Sequence, residues 1–131
     1  MRETEIDQDL PKTPWRQEIR LTRESGEVLT AVSESLLNGG LAVLLNRAVR
    51  TGEQLILDAV LPNHAAHRLE PVRMHCRVAY LVALTHPPDT LRAGLTILQI
   101  DPSHKQRLLR FARERIQRQQ HPADLRRSGS S

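Results

Sequence analysis

Residues 32–45 constrain this chain most. They read Val-Ser-Glu-Ser-Leu-Leu-Asn-Gly-Gly-Leu-Ala-Val-Leu-Leu. A polar strand end runs into Asn38-Gly39-Gly40, and an alternating apolar strand leaves it. Asn-Gly and Gly-Gly pairs accept positive φ at little steric cost, so the backbone can reverse within a few residues. The middle of the chain is thereby committed to an antiparallel hairpin.

Its neighbours carry the same period of two. Ile19 and Leu21 share one face, while Arg16, Glu18, Arg20 and Thr22 share the other, the pattern of a half-buried strand. Glu24-Ser25-Gly26-Glu27 turns the chain into a second strand, Val28 to Ser33. Leu41, Val43 and Leu45 alternate after the diglycine. Arg50-Thr51-Gly52-Glu53 turns again, and Gln54 to Leu61 forms a fourth strand that stops at Pro62-Asn63. Val72, Met74, Cys76, Val78, Tyr80 and Val82 alternate over a long fifth strand. Leu91 to Ile100 is the sixth, where Gly94 can take a bend. Asp101-Pro102-Ser103 then carries the signals of a helix start. Leu108, Phe111, Ala112 and Ile116 recur at helical spacing among arginines until Pro122.

Six antiparallel strands with short turns, followed by one helix, predict an all-β, six-stranded antiparallel barrel with a C-terminal α-helix. The expected organisation is a flexible polar arm over 1–14, the barrel over 15–101, a basic amphipathic helix over 102–121 and a disordered tail over 122–131.

The chain has 131 residues, 39% of them apolar, with one Trp, one Tyr and one Phe. Its core must therefore be aliphatic. Lys and Arg number 19 against 15 acidic residues, a net charge of +4 that suits an anionic ligand. Cys76 is the only cysteine, so no internal disulfide can form. No apolar run approaches the roughly 18 residues of a membrane span. A cytoplasmic protein is the expectation.

The chemistry of catalysis is thinly represented. There is no G-x-S-x-G elbow, no phosphate-binding G-x-x-x-x-G-K-S/T and no clustered carboxylate pair. His64, His67, His75 and Cys76 do not fit a zinc framework, and the last two fall on opposite faces of one strand. Cys76 reads as a core residue. The sequence predicts a binding protein, not an enzyme, with no metal site.

The order of the pieces resembles the PilZ domain family, small β-barrels that read cyclic di-GMP. The resemblance runs over about residues 12–116. It rests on Asn38-Gly39-Gly40-Leu41-Ala42-Val43, on Val72-Arg-Met-His-Cys-Arg-Val-Ala-Tyr80, on Ala93-Gly94-Leu95-Thr96-Ile97-Leu98, and on Asp101-Pro102-Ser103 before the Leu108-Leu109-Arg110-Phe111 helix.

In that family an R-x-x-x-R arm and a D/N-x-S-x-x-G turn hold the nucleotide. Arginine forks pair with phosphate oxygens and stack on purines. Here Lys12-Thr-Pro-Trp-Arg16 has the arm spacing with Lys for the first Arg, and Arg16-Gln-Glu-Ile-Arg20 matches it literally. Aligned on Gly40, the turn reads Ser35-Leu-Leu37-Asn-Gly-Gly40; aligned on Gly39, it reads Glu34-Ser-Leu36-Leu-Asn-Gly39. Leu stands at the Ser position either way.

The resemblance implies cyclic di-GMP as ligand, with Lys12, Arg16, Arg20, Ser35, Gly39 and Gly40 as candidate contacts. It also implies an affinity weakened by the lost hydroxyl, and a relay to motility, pilus or exopolysaccharide machinery. No other cofactor is implied. The alternative is an adaptor without nucleotide that meets an acidic protein partner through the helix, with Arg107, Arg110 and Arg113 as candidate contacts, or through a sheet edge. Nucleic acid is a poorer fit, because single-strand binders stack bases on exposed aromatics.

Overall fold

A computed structural model describes residues 12–37 and 39–130, with side chains to Gln117. Most of the expected N-terminal arm, Asn38 of the turn and the side chains of the C-terminal tail lie outside the described residues. Seven strands are described: β1 (Thr13–Pro14), β2 (Glu18–Arg23), β3 (Val28–Leu37), β4 (Gly40–Leu45), β5 (Gln54–Asn63), β6 (Arg68–Leu84) and β7 (Thr90–Ile100). One helix, α1 (Pro102–Ser130), follows.

All strand pairs are antiparallel. The order β3-β2-β5-β6-β7-β4 returns to β3 through β3–β4 pairing, so six strands close into a ring. The expected six-stranded closed sheet is therefore present, and a seventh, two-residue strand is added to it. That strand takes Thr13 and Pro14 out of the loose arm expected over 1–14, of which residues 1–11 lie outside the described residues. Thr13 pairs with Leu36 and Pro14 with Ser35, along the same side of β3 that β2 occupies further down. Proline fits there because β1 is an edge strand and needs no donor on its outer side.

The alternation read from the sequence fills the ring. Ile19, Leu21, Leu29, Leu36, Leu41, Leu55, Leu57, Leu61, Met74 and Cys76 are all essentially inaccessible. Burial pushes the Cys76 thiol up to about 12, as expected for a core cysteine.

The helix closes one end of the ring. Leu108, Leu109, Phe111 and Ala112 are buried, and the edge of the Phe111 ring meets Trp15 at 6.0 Å between centroids. Asp101 caps its first turn: the Ser103 amide donates to the carboxylate at 3.1 Å. The backbone stays helical to Ser130, past the stop expected at Pro122.

β6 is longer than its apolar alternation suggests. Its first four residues pair with the end of β5, where Asn63 meets Arg68. Beyond Val78 it pairs only with β7.

Candidate ligand-binding face

β1 and β2 are separated by Trp15–Gln17, which stay bonded to β3 on either side of one buried serine: the Trp15 amide donates to the Glu34 carbonyl at 3.1 Å and the Ser33 amide to the Gln17 carbonyl at 2.9 Å. The Ser33 hydroxyl donates to the Trp15 carbonyl at 2.7 Å and accepts from the Gln17 amide at 3.1 Å. A register shift in β3 falls beside it, between Ser33 and Ser35 in the pairing with β4. These two irregularities set the direction of the arm. Thr13 and Trp15 are buried while Lys12, Pro14 and Arg16 are exposed. Lys12 and Arg16 thus sit on one outer face, about 13 Å apart along the strand. The β1 register carries Lys12 towards the Leu37 end of β3.

The diglycine turn is built as the sequence predicts, but for a second reason. Gly39 has φ 73° and its carbonyl accepts from the Ile97 amide at 2.9 Å. At Gly40, a Cβ would overlap the Leu95 carbonyl of the neighbouring strand. Close backbone packing alone demands this glycine, so its presence is no measure of ligand contact.

Of the two alignments of the turn motif, the Gly40 alignment fits the pleat. Ser35 and Leu37 are half-buried and lie on the side of β3 opposite the core residue Leu36. Across from Ser35 stand Ala42 and then Gly94 and Tyr80. Gly40, Ala42 and Gly94 give this outer face a floor of small residues. The irregularity expected at Gly94 falls on its partner strand, where the register shifts between Val78 and Tyr80, and the missing side chain of Gly94 makes room for the Tyr80 ring, which lies over it. Leu37, Gly40, Tyr80, Gly94 and Thr96 line a cleft of about 210 Å³ on this floor.

One charged pair crosses the face. Arg92 on β7 grips Glu34 with both ends of its fork, Nε to Oε1 at 2.7 Å and Nη2 to Oε2 at 2.9 Å. The hydrogen bonds from Arg92 hold the Glu34 carboxyl below its usual range against the opposing cost of burial, and the charge of Arg16 acts in the same direction. Arg16 also lines a second cleft with Thr30, Val32, Leu44 and Thr90. Arg20 is farther from the turn, exposed on β2 between Thr30 and Asp58. Asp58 is engaged by Arg73 at 2.7 Å.

The structure therefore gathers Lys12, Arg16, Ser35, Gly39 and Gly40 along one arm-and-turn face and leaves Arg20 at its margin. Arg92 and Tyr80, not among the candidates read from the sequence, also stand on this face. The signal for Arg92 was its place two residues before Gly94, on the outward side of the last strand.

The helix candidates have different surroundings. Arg107 donates to the Pro71 carbonyl at 2.5 Å, and Arg110 pairs with Glu70. Both tie the helix to β6. Arg113 is exposed. Among the described residues, no three His, Cys, Asp or Glu side chains converge as a metal site would require, and no helix is long and apolar enough to cross a membrane.

No protein-family model matches the chain, and no curated protein matches it significantly. Solved structures do. The chain is similar to the Bacillus subtilis inhibitor of motility MotI/DgrA, with a TM-score of 0.70 and 21% identity over 86% of this chain and 51% of that one. It is similar to the PilZ domain of Escherichia coli YcgR, a structure with cyclic di-GMP, with a TM-score of 0.63 and 14% identity over 88% of this chain and 95% of that one. The PilZ domain of CeSA from a cellulose-synthesizing bacterium matches with a TM-score of 0.56 and 15% identity, over 78% and 94%. The fold is PilZ-like. The chain spans nearly all of the two isolated PilZ domains and about half of MotI/DgrA.

Proposed function

We propose that this chain is a cyclic di-GMP-binding signalling domain of weakened affinity. It acts by binding and relaying, without chemical change to its ligand, and works in the cytoplasm. The observation that carries this reading is the pairing of Thr13 and Pro14 with Leu36 and Ser35. It lays the basic arm directly along the turn strand, on a fold shared with a domain whose structure holds cyclic di-GMP. Lys12 and Arg16 supply positive charge at the two ends of a strip that a dinucleotide can span. Ser35 offers one polar contact. Leu37 offers none, and a missing hydrogen bond of this kind weakens binding by about 0.5–1.5 kcal/mol.

The relay follows from Trp15. It belongs to the arm segment, yet its ring rests on Phe111 of the helix. A ligand that fixes Arg16 also fixes Trp15, and hence the seat of the helix. The output would be a protein partner in motility, pilus or exopolysaccharide machinery.

Calorimetric titration with cyclic di-GMP at moderate salt tests this. Binding heat is expected at protein concentrations on the order of tens of micromolar, and its absence there overturns the reading. Arg16→Ala removes a charge-assisted contact and is expected to lower affinity about 10- to 100-fold.

A second reading, an adaptor without nucleotide, is favoured by the far end of β6. There Tyr80 and Val82 are each 44% exposed on a strand with β7 on one side only. Under it, Arg16→Ala leaves partner binding intact.

A further inference from the structure

Two carboxylate–arginine forks bind in the same geometry as phosphate–arginine forks, because both acceptors present two anionic oxygens to a planar pair of donors. Glu34 and Arg92 form such a fork on the outer face, across from the arm. Their side chains are 29% and 38% exposed, so water and ligand can reach both. Arg16 stands close enough for its charge to act on the same carboxylate, and Tyr80 is close enough to act on Arg92. The set is thus two guanidinium groups, one carboxylate and one exposed ring beside a floor of small residues.

We propose that Glu34 is an internal stand-in for a ligand phosphodiester, and that cyclic di-GMP displaces it from Arg92. This rests on the cyclic di-GMP reading above and adds residues that the arm and turn motifs do not contain. Arg92 supplies the planar fork that Lys12 lacks. The cost of binding is the Glu34–Arg92 pair itself, since only chains with the pair open are competent.

The test is a set of titrations with cyclic di-GMP, with melting curves confirming that each variant is folded. Arg92→Lys keeps the charge and loses the fork; affinity is expected to fall about tenfold or more, as with Arg92→Ala. Glu34→Gln keeps the shape and frees Arg92; affinity is expected to rise about two- to fivefold, the worth of a solvent-exposed pair.

Arg92 variants that bind like the parent, or a Glu34→Gln affinity no higher than the parent's, would each overturn the proposal while leaving cyclic di-GMP recognition standing. Silence from the parent would remove the cyclic di-GMP reading, and the proposal with it.

Discussion

Glu70 and Glu34 are both carboxylates held by arginine, at opposite regions of the ring, and they do different work. Glu70 lies at the end of the β5–β6 hairpin with its side chain 9% exposed. It receives the Asn63 amide at 3.2 Å, the Arg68 fork, and Arg110 from the helix. Asn63 in turn accepts from the Ala66 amide, which fixes the hairpin loop. Removing one of these donors leaves the others in place. Glu34 is 29% exposed and is hydrogen-bonded by Arg92 alone among the side-chain bonds described. The same chemistry yields a clamp where burial collects several donors, and a lone pair open to solvent where it does not. The closed end holds the helix; the proposed exchange with ligand belongs to the open face.

The most forceful challenge to this contrast is Trp15→Ala. Trp15 is 1% exposed and packs against Phe111. Its truncation should cost about 3–5 kcal/mol in chemical denaturation, and should raise hydrogen exchange in the helix before the ring. Exchange that rises uniformly would show that the closed end is not a separate unit.

Gly40→Ala probes the floor of the open face. The new Cβ meets the Leu95 carbonyl, so β4 and β7 must separate, at a cost of about 1–3 kcal/mol. An unchanged melting temperature would show that the two strands are less tightly joined.

A finer comparison sets Glu70→Gln against Glu34→Gln. The first should lower the melting temperature more; the second should stay within about 1 kcal/mol of the parent. Acid titration sharpens it. Glu70 is held below the usual carboxyl range first by Asn63 and then by Arg68 and Arg110, and Glu34 first by Arg92. Groups depressed in the folded state contribute stability above their unfolded value of about 4.3, and lose it as pH falls through their folded values. Stability should therefore be level between about pH 5 and pH 8 and fall below that window, less steeply in Glu70→Gln.

The smallest effect is expected at Cys76. Its raised thiol contributes stability below an unfolded value of about 8.5, lost as pH rises from there towards about 12. Thiol reagents should modify it only at the rate of opening of the core.

The strands were legible because a half-buried sheet writes a period of two into the sequence, and Ile19, Leu21, Leu41, Val43, Met74 and Cys76 all follow it. The helix start was legible from Asp101 and Pro102, because capping uses residues adjacent in the chain. Strand β1 was not legible. Thr13-Pro14 is too short and too rich in proline to show a pattern, and what orders it is a register with Leu36 and Ser35, twenty-odd residues away. Gly40 was read as a turn residue and a candidate contact; that a carbonyl from Leu95 fills the space of its Cβ is a fact of strand approach.

By itself, then, the sequence determined which segments extend, where they reverse and which faces turn inward, since these follow from local sterics and from the alternation of apolar side chains. Only the tertiary structure decided that Glu34 meets Arg92 across 58 positions, that Tyr80 covers Gly94, and that Arg107 and Arg110 fasten the helix. Those contacts depend on which strands become neighbours when the ring closes, and the pairing of distant segments leaves no periodic trace along the chain.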